Sequence, residues 1–207
     1  MTVAIIGTGN VGRTLGQRVL AGGDSVAFGV RDPKAGVDVP AGARIAPPSD
    51  AASGADVVIF AVPAGALVDA AKGAGNLSGK VVIDCTNPLR FDSAGPVWAP
   101  PPEGSATQAL AAALPGLAVV KGFNHFGVEI HADPNVAGGR VDALFAGDDS
   151  GAKRTAMALA QRMGFHGVDA GPLRNAGALE HLAVLWIQLA MSGSAGRHFA
   201  FQIIGRA

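Results

Sequence analysis

Val3-Ala4-Ile5-Ile6-Gly7-Thr8-Gly9-Asn10-Val11-Gly12 decides the fold. An apolar, β-branched run stops at Gly7, and an amphipathic stretch, Val11–Ala21, starts within four residues. Between them the glycines at 7, 9 and 12 form a GxGxxG in strand–turn–helix context. Each glycine has its own reason: a tight turn at Gly7, close approach of a pyrophosphate at Gly9, and close helix-to-strand packing at Gly12. The unpaired N–H groups at the start of the helix, reinforced by its dipole, then face the phosphates. In a chain with 30 glycines the pattern alone would mean little; its context makes it a dinucleotide-binding signature.

Outward from this unit, short apolar runs alternate with Ala-rich helical stretches, which predicts a parallel sheet covered by helices. Strands are expected at Val3–Ile6, Ser25–Phe28, Val57–Ala61, Val81–Asp84, Ala118–Gly122, Asp142–Ala146 and His166–Asp169. Helices are expected at Val11–Ala21, Ala64–Lys72, Ala106–Leu114 and Ser150–Met163, with Ser105 and Gln108 as a capping box and Gly164 as a stop. The class is α/β, a Rossmann-type doubly wound, mainly parallel sheet. It is expected to fill residues 1–172, with 173–207 as a C-terminal helical cap or dimerisation segment. Residues 90–104, with Gly95-Pro96 and three consecutive prolines from Pro100, read as a long irregular loop, a possible lid. The helix around Leu179, Leu182, Trp186 and Leu189 is apolar nearly all round and is expected to be buried, in a core or against a second copy. Phe199 to Ile204 reads as a short terminal strand or helical turn.

At 49% apolar and 15% charged residues, disorder is excluded. A net charge of zero and the lack of a basic cluster give no reason to expect a nucleic acid or an anionic membrane as partner. The longest apolar stretch, Leu182 to Met191, is half of what a membrane helix needs, and no leader is evident, so a cytoplasmic setting is expected. One cysteine, Cys85, allows no intrachain disulfide, and the five histidines show no metal-ligand spacing; no metal is expected.

The residues just past the second strand choose the dinucleotide. NAD sites place an acidic side chain there for the ribose 2′-OH, whereas NADP sites place an arginine for the 2′-phosphate. Gly29-Val30-Arg31-Asp32-Pro33-Lys34 offers both. Asp32 can hold a ribose or simply start a turn before Pro33; Arg31, with Lys34, can hold a phosphate. The residues alone leave NADP and NAD open. Ala61-Val62-Pro63 and the turn containing Asn87 stand where later strands should end, and so can wall the same groove.

Taken together these stretches resemble the NADP oxidoreductases dependent on coenzyme F-420, a deazaflavin hydride carrier, and the reductase domain of the STEAP metalloreductases. The resemblance runs through Gly7–Gly12, Gly29-Val30-Arg31-Asp32-Pro33, Ala61-Val62-Pro63, Asp84-Cys85-Thr86-Asn87-Pro88-Leu89, Val120-Lys121-Gly122-Phe123-Asn124, and Gly171 to Glu180. It implies that Thr8, Gly9, Asn10 and Val11 contact the pyrophosphate and that Arg31 holds the 2′-phosphate, making the cofactor NADP. It implies that Asn124-His125-Phe126-Gly127 backs the nicotinamide, with Phe126 against the ring face. This chain has Val30 where the family often has Ser or Thr. It has Asn124 and Phe126 where the deazaflavin enzymes have a His and a smaller aliphatic.

The implied reaction is hydride transfer between nicotinamide and a flavin or deazaflavin-type acceptor, which needs stacked rings more than acid–base catalysis. His125 or Lys121 could supply a proton to a carbonyl or imine instead. Reduction of a small imine or keto compound is therefore a second reading, although few residues remain for a substrate domain. A non-catalytic NADP(H) sensor acting as a homodimer is a third.

Overall fold

The computed structural model describes residues 1–136, 139–193 and 195–205. The alternation in the sequence becomes a doubly wound sheet. In chain order the elements begin with β1 (Thr2–Ile6), α1 (Asn10–Ala21), β2 (Ser25–Gly29), β3 (Arg44–Ala46), α2 (Pro48–Ser53), β4 (Val57–Phe60) and α3 (Leu67–Gly73). Then come β5 (Val81–Asp84), β6 (Leu89–Asp92), β7 (Gly95–Trp98), α4 (Ala106–Ala113), β8 (Ala118–Lys121), α5 (Val128–Ala132), β9 (Asn135–Val136) and β10 (Gly139–Arg140). The chain closes with β11 (Asp142–Phe145), α6 (Ser150–Arg162), β12 (His166–Asp169) and α7 (Ala176–Met191). Six strands form one parallel sheet in the order β3-β2-β1-β4-β5-β8. This is the Rossmann order, with its reversal between β1 and β4.

Alternation along β1 shows why both faces need cover. Val3 and Ile5 join a core with Leu15 and Val19 of α1 and Ala156 and Leu159 of α6. Ala4 and Ile6 join the opposite core, with Ala51 of α2, Leu67 and Ala71 of α3, and Leu110 of α4. Strands sandwiched this way carry continuous apolar runs, and Val57 to Phe60 are all fully buried. Each such large side chain contributes about 1.5–3 kcal/mol from burial.

Register positions the site. Ile6 pairs with Gly29 on one side and Phe60 on the other, so the residues that follow, Gly7, Val30 and Ala61, leave the sheet at one level. β11 and β12 form a separate parallel pair, joined to the main sheet by one antiparallel bridge between Lys121 and Ala146.

Several expectations are corrected. Residues 90–104 are not irregular throughout: β6 and β7 pair as an antiparallel hairpin turned at Ser93 and Ala94. Pro96 is tolerated because a two-stranded ribbon has only edge strands, where a missing donor breaks no central ladder. Phe199 to Ile204 form neither strand nor helix. That segment is held by side chains instead: Phe199 stacks on Trp186 at 5.1 Å, and the Trp186 indole donates to the Phe199 carbonyl at 2.8 Å. The expected helix from Ala64 opens as a 3-10 turn before α3. β3, α2, α5, β9 and β10 stand outside the expected elements. The Ser105–Gln108 cap forms, with the Ser105 hydroxyl accepting from the Gln108 N–H at 3.1 Å. No helix among the described residues is long and apolar enough to cross a membrane.

Candidate functional site

The glycine turn has the geometry that its three positions require. Gly7 adopts φ +124°, and a Cβ there would overlap the Ala61 carbonyl oxygen at the end of β4. A Cβ on Gly12 would overlap the Gly7 carbonyl, so α1 lies against the turn. Around Gly9, by contrast, a Cβ would meet nothing within 4 Å. That open space lies over the N-terminus of α1, which has no capping side chain and no acidic residue in its first turn. The first N–H groups of a helix have no acceptor within it, and an anion supplies one. A dinucleotide pyrophosphate fits this donor set. Thr8 and Val11 are half-buried beside it; Asn10 is exposed, its side-chain oxygen accepting from Arg13 at 3.0 Å.

One strand over, the structure separates the two candidates for the ribose. The Asp32 carboxylate accepts the Lys34 N–H at 3.0 Å and its carbonyl accepts from Ala35 at 3.1 Å, so Asp32 builds its own turn. Arg31 is exposed and has no ion pair or hydrogen bond among the described residues. Lys34 is also exposed, one turn away. Arg31 is therefore free to meet an anion, as is Lys34, whereas the acidic side chain is already engaged.

On the far side of β1 from Arg31 lie the ends of β4 and β5. Ala61, Val62 and Pro63 leave β4 there, and Asn87 follows β5. Asn87 and Asn124 are mutually hydrogen-bonded: Asn87 Nδ2 donates to the Asn124 carbonyl at 2.8 Å, and Asn124 Nδ2 to Asn87 Oδ1 at 2.8 Å. Asn124 also donates to the Leu179 carbonyl of α7 at 3.0 Å. It is a brace between sheet and helix.

The next two residues turn into the core. Phe123 takes a left-handed φ of +57°, and from it the chain directs His125 and Phe126 into the core. Phe126 stacks on Phe165 with centroids 5.3 Å apart, so one face of its ring is occupied. His125 Nε2 donates to the Asp142 carbonyl at 3.2 Å, and burial lowers its pKa to about 4. It stays neutral at ordinary pH, with no free N–H to offer a substrate.

Lys121 is likewise withdrawn. It is fully buried, and its ammonium donates to Asp84 Oδ2 at 2.9 Å, Glu180 Oε1 at 2.9 Å and the Thr86 carbonyl at 2.6 Å. Burial alone would lower its pKa; the charges and hydrogen bonds of Asp84 and Glu180 outweigh that and leave it raised. Its three protons are all used, so it is not a proton donor to substrate. Asp84 Oδ2 also accepts from Thr107 at 2.7 Å, and Oδ1 from the Thr86 N–H at 2.7 Å. Glu180 Oε1 accepts the Ala106 N–H at 3.0 Å, and Oε2 the Trp98 indole N–H at 2.9 Å. The Glu180 carboxyl thus lies against the N-terminus of α4, where the helix dipole favours an acidic group. Sequence reasoning singled out Lys121 but missed this cluster. Its signal was Glu180, the one acid in a helix whose other polar side chains are His181 and Gln188.

Burial pushes the Cys85 thiol up, so it is no nucleophile. No group of three metal-ligating side chains exists among the described residues. A recess of about 330 Å³ lies along the outer flank of α1, lined by Arg13, Thr14, Gln17 and Pro40. Of the expected cofactor residues it includes only Asn10, so it adjoins the crevice and is not the crevice itself.

Comparison with known proteins agrees with this geometry. A family model described as NADP oxidoreductase, coenzyme F420-dependent, matches residues 2–88. The rat metalloreductase STEAP3 is 31% identical over 180 residues, covering 86% of this chain and 35% of its own. The chain thus spans about a third of the length of that curated relative. A crystal structure from Arthrobacter sp. FB24, provisionally named an F420-dependent NADP-reductase, is 30% identical with a TM-score of 0.87, covering 98% of this chain and 99% of that one. A Streptomyces aurantiacus imine reductase shares the fold at 18% identity and a TM-score of 0.67, covering 94% of this chain and 63% of that one. With near-complete mutual coverage and the glycine cradle in place, the chain belongs to the coenzyme F420-dependent NADP oxidoreductase family and is an NAD(P)-linked oxidoreductase.

Proposed function

We propose that the protein takes hydride from NADPH and delivers it to a planar ring acceptor of the flavin or deazaflavin type. The observation that carries the cofactor choice is the unpaired Arg31 beside a self-engaged Asp32. In this reading Gly9, Asn10, Val11 and the start of α1 hold the pyrophosphate. Arg31 and Lys34 hold the 2′-phosphate, while Ala61, Val62, Pro63 and Asn87 wall the nicotinamide end. When bound, NADPH supplies the hydride; the chain orients it and excludes water.

The acceptor class follows from what the nicotinamide end lacks. His125 and Lys121, the two groups expected to move a proton, are both committed to the core. Ring-to-ring hydride transfer does not need them, whereas reduction of a carbonyl or imine is helped by a placed acid. Residues 173–207 act as a cap on this end of the sheet. The exposed Leu185, Met191, Ile203 and Ile204 suit contact with a second copy, which light scattering checks directly.

Anaerobic stopped-flow mixing of the NADPH complex with riboflavin or a 5-deazaflavin tests the proposal. Loss of the 340 nm band in step with acceptor reduction supports it. Turnover only with cyclic imines or ketones overturns the acceptor assignment, and absence of all turnover favours a sensor.

A further inference from the structure

Glu180 gathers three otherwise unconnected parts of the molecule. Its carboxylate is fully buried and accepts from Lys121 of β8, from the Ala106 N–H that opens α4, and from the Trp98 indole that ends β7. The last of these secures the hairpin. β6 and β7 follow directly from Asn87 and Pro88 at the exit of β5, and the Ala99 N–H closes the base of the arm on the Pro88 carbonyl at 2.7 Å. Trp98 is held further by His181, whose ring lies 3.9 Å away, and by Gly177, where a Cβ would come within 3.4 Å of the indole. His181 is fixed in turn by donating Nδ1–H to the Gly177 carbonyl at 2.9 Å. Beyond this anchor the arm carries Arg90 and Phe91 into solvent, Phe91 at 63% exposure.

We propose that Glu180 is a positioning residue: through Trp98 it seats the 89–98 hairpin as the outer wall of the acceptor cleft. The inference rests on the hydride-transfer reading for the word acceptor, and on geometry alone for the seating. The physical reason is local. Apart from its base, the arm is a two-stranded ribbon, and such ribbons are marginal without packing on one face. The bond to a buried carboxylate is charge-assisted and therefore one of the strong ones. No other hydrogen bond from α7 to the arm is present among the described residues.

Two variants separate seating from general stability. Trp98→Phe keeps a ring on His181 but removes the indole donor. Glu180→Gln keeps an oxygen for Lys121 and Ala106 and turns an N–H toward Trp98. In both, hydrogen exchange of hairpin amides 89–98 is expected to rise about tenfold or more, with amides of β1 and β4 unchanged. With riboflavin as the probe, KM is expected to rise while kcat and the NADPH Kd stay within twofold. Hairpin exchange at the wild-type rate in both variants would overturn the seating. Equal acceleration in β1 and β4 would reduce Glu180 to a general stabiliser and would also overturn it. A seated hairpin whose loosening leaves the riboflavin KM unchanged would overturn the link to the cleft. Failure of the hydride-transfer reading is distinguishable, since it shows in the wild type as no NADPH oxidation while the exchange result still stands.

Discussion

Replacing Gly9 by alanine should leave the fold intact and abolish dinucleotide binding, an unusual separation that the geometry makes quantitative. Gly9 has φ −71°, open to any residue, and a Cβ there meets nothing within 4 Å. Alanine is a poorer N-cap than glycine by up to about 1 kcal/mol. It regains about 0.4–1 kcal/mol by restricting the unfolded chain. The apo Tm should therefore stay within about 3 °C of wild type. The methyl group nevertheless takes up space at the position where the second glycine of this turn lets a pyrophosphate approach the backbone. In wild type, NADPH at 100 times its Kd stabilises by about 2.7 kcal/mol, and a domain of this size gains about 2–4 °C per kcal/mol, so Tm should rise about 5–10 °C. A hundredfold weaker Kd in Gly9→Ala removes most of that rise. Gly12→Ala is the contrasting control. Its Cβ overlaps the Gly7 carbonyl, and forced overpacking of this kind costs about 1–3 kcal/mol, which lowers the apo Tm itself. Thermal melts of all three proteins with and without NADPH decide the matter. A Gly9→Ala protein with the full NADPH shift would refute the cradle. One with an apo Tm as depressed as that of Gly12→Ala would refute the open space.

Three other outcomes are expected. Arg31→Ala should weaken NADPH by about 10–100-fold, the worth of one charge-assisted contact, and NADH by less than twofold; titration calorimetry with both cofactors checks it, and equal losses would place the 2′-phosphate elsewhere. Lys121→Met leaves Asp84 and Glu180 buried without their cation and should cost about 3–5 kcal/mol in urea unfolding; a loss under 1 kcal/mol would show that the cluster is not ionised as drawn. His125 and His131 are held near pKa 4, chiefly by burial, whereas in the unfolded chain each titrates near pH 6.5. The unfolded state thus binds more protons between those values. Stability should be constant above about pH 6.5 and fall as pH drops toward 4, by up to roughly 3 kcal/mol per histidine. Urea midpoints measured from pH 7.5 to 4.5 would show this, and a flat profile would contradict the buried neutral state.

The sequence exposed the sheet and the cradle because both depend on local patterns. A buried parallel strand must be a continuous apolar run, and a pyrophosphate turn must have glycine at set positions, so Val57–Phe60 and Gly7–Gly12 could be read directly. Features set by distant partners stayed hidden. Gly95-Pro96 looks like a break because proline removes a donor; only the pairing with Phe91 shows that no central ladder runs there. The expectation that Phe126 faces a ring came from the family resemblance of the Asn124–Gly127 turn. The direction of its side chain goes with the left-handed Phe123 and the stack on Phe165, neither of which has a local signature. Pro47-Pro48 obscured α2 although proline is a favoured first helical residue. The charge cluster was the least legible of all, since its acids and its lysine come from β5, β8 and α7.

That scattering governs when the site can exist. During synthesis β1, α1 and β2 leave the ribosome early, and with β4 they suffice to shape the phosphate turn. Asp84, Trp98, Ala106 and Lys121 follow, but the carboxylate that joins three of them comes later still, at Glu180 on α7. Nascent chains fold from the N-terminal side first. A chain stalled before residue 180 would carry a complete handle for the cofactor beside an unsecured arm and a half-paired buried lysine. The phosphate turn is therefore shaped before the residue that anchors the hairpin has been made.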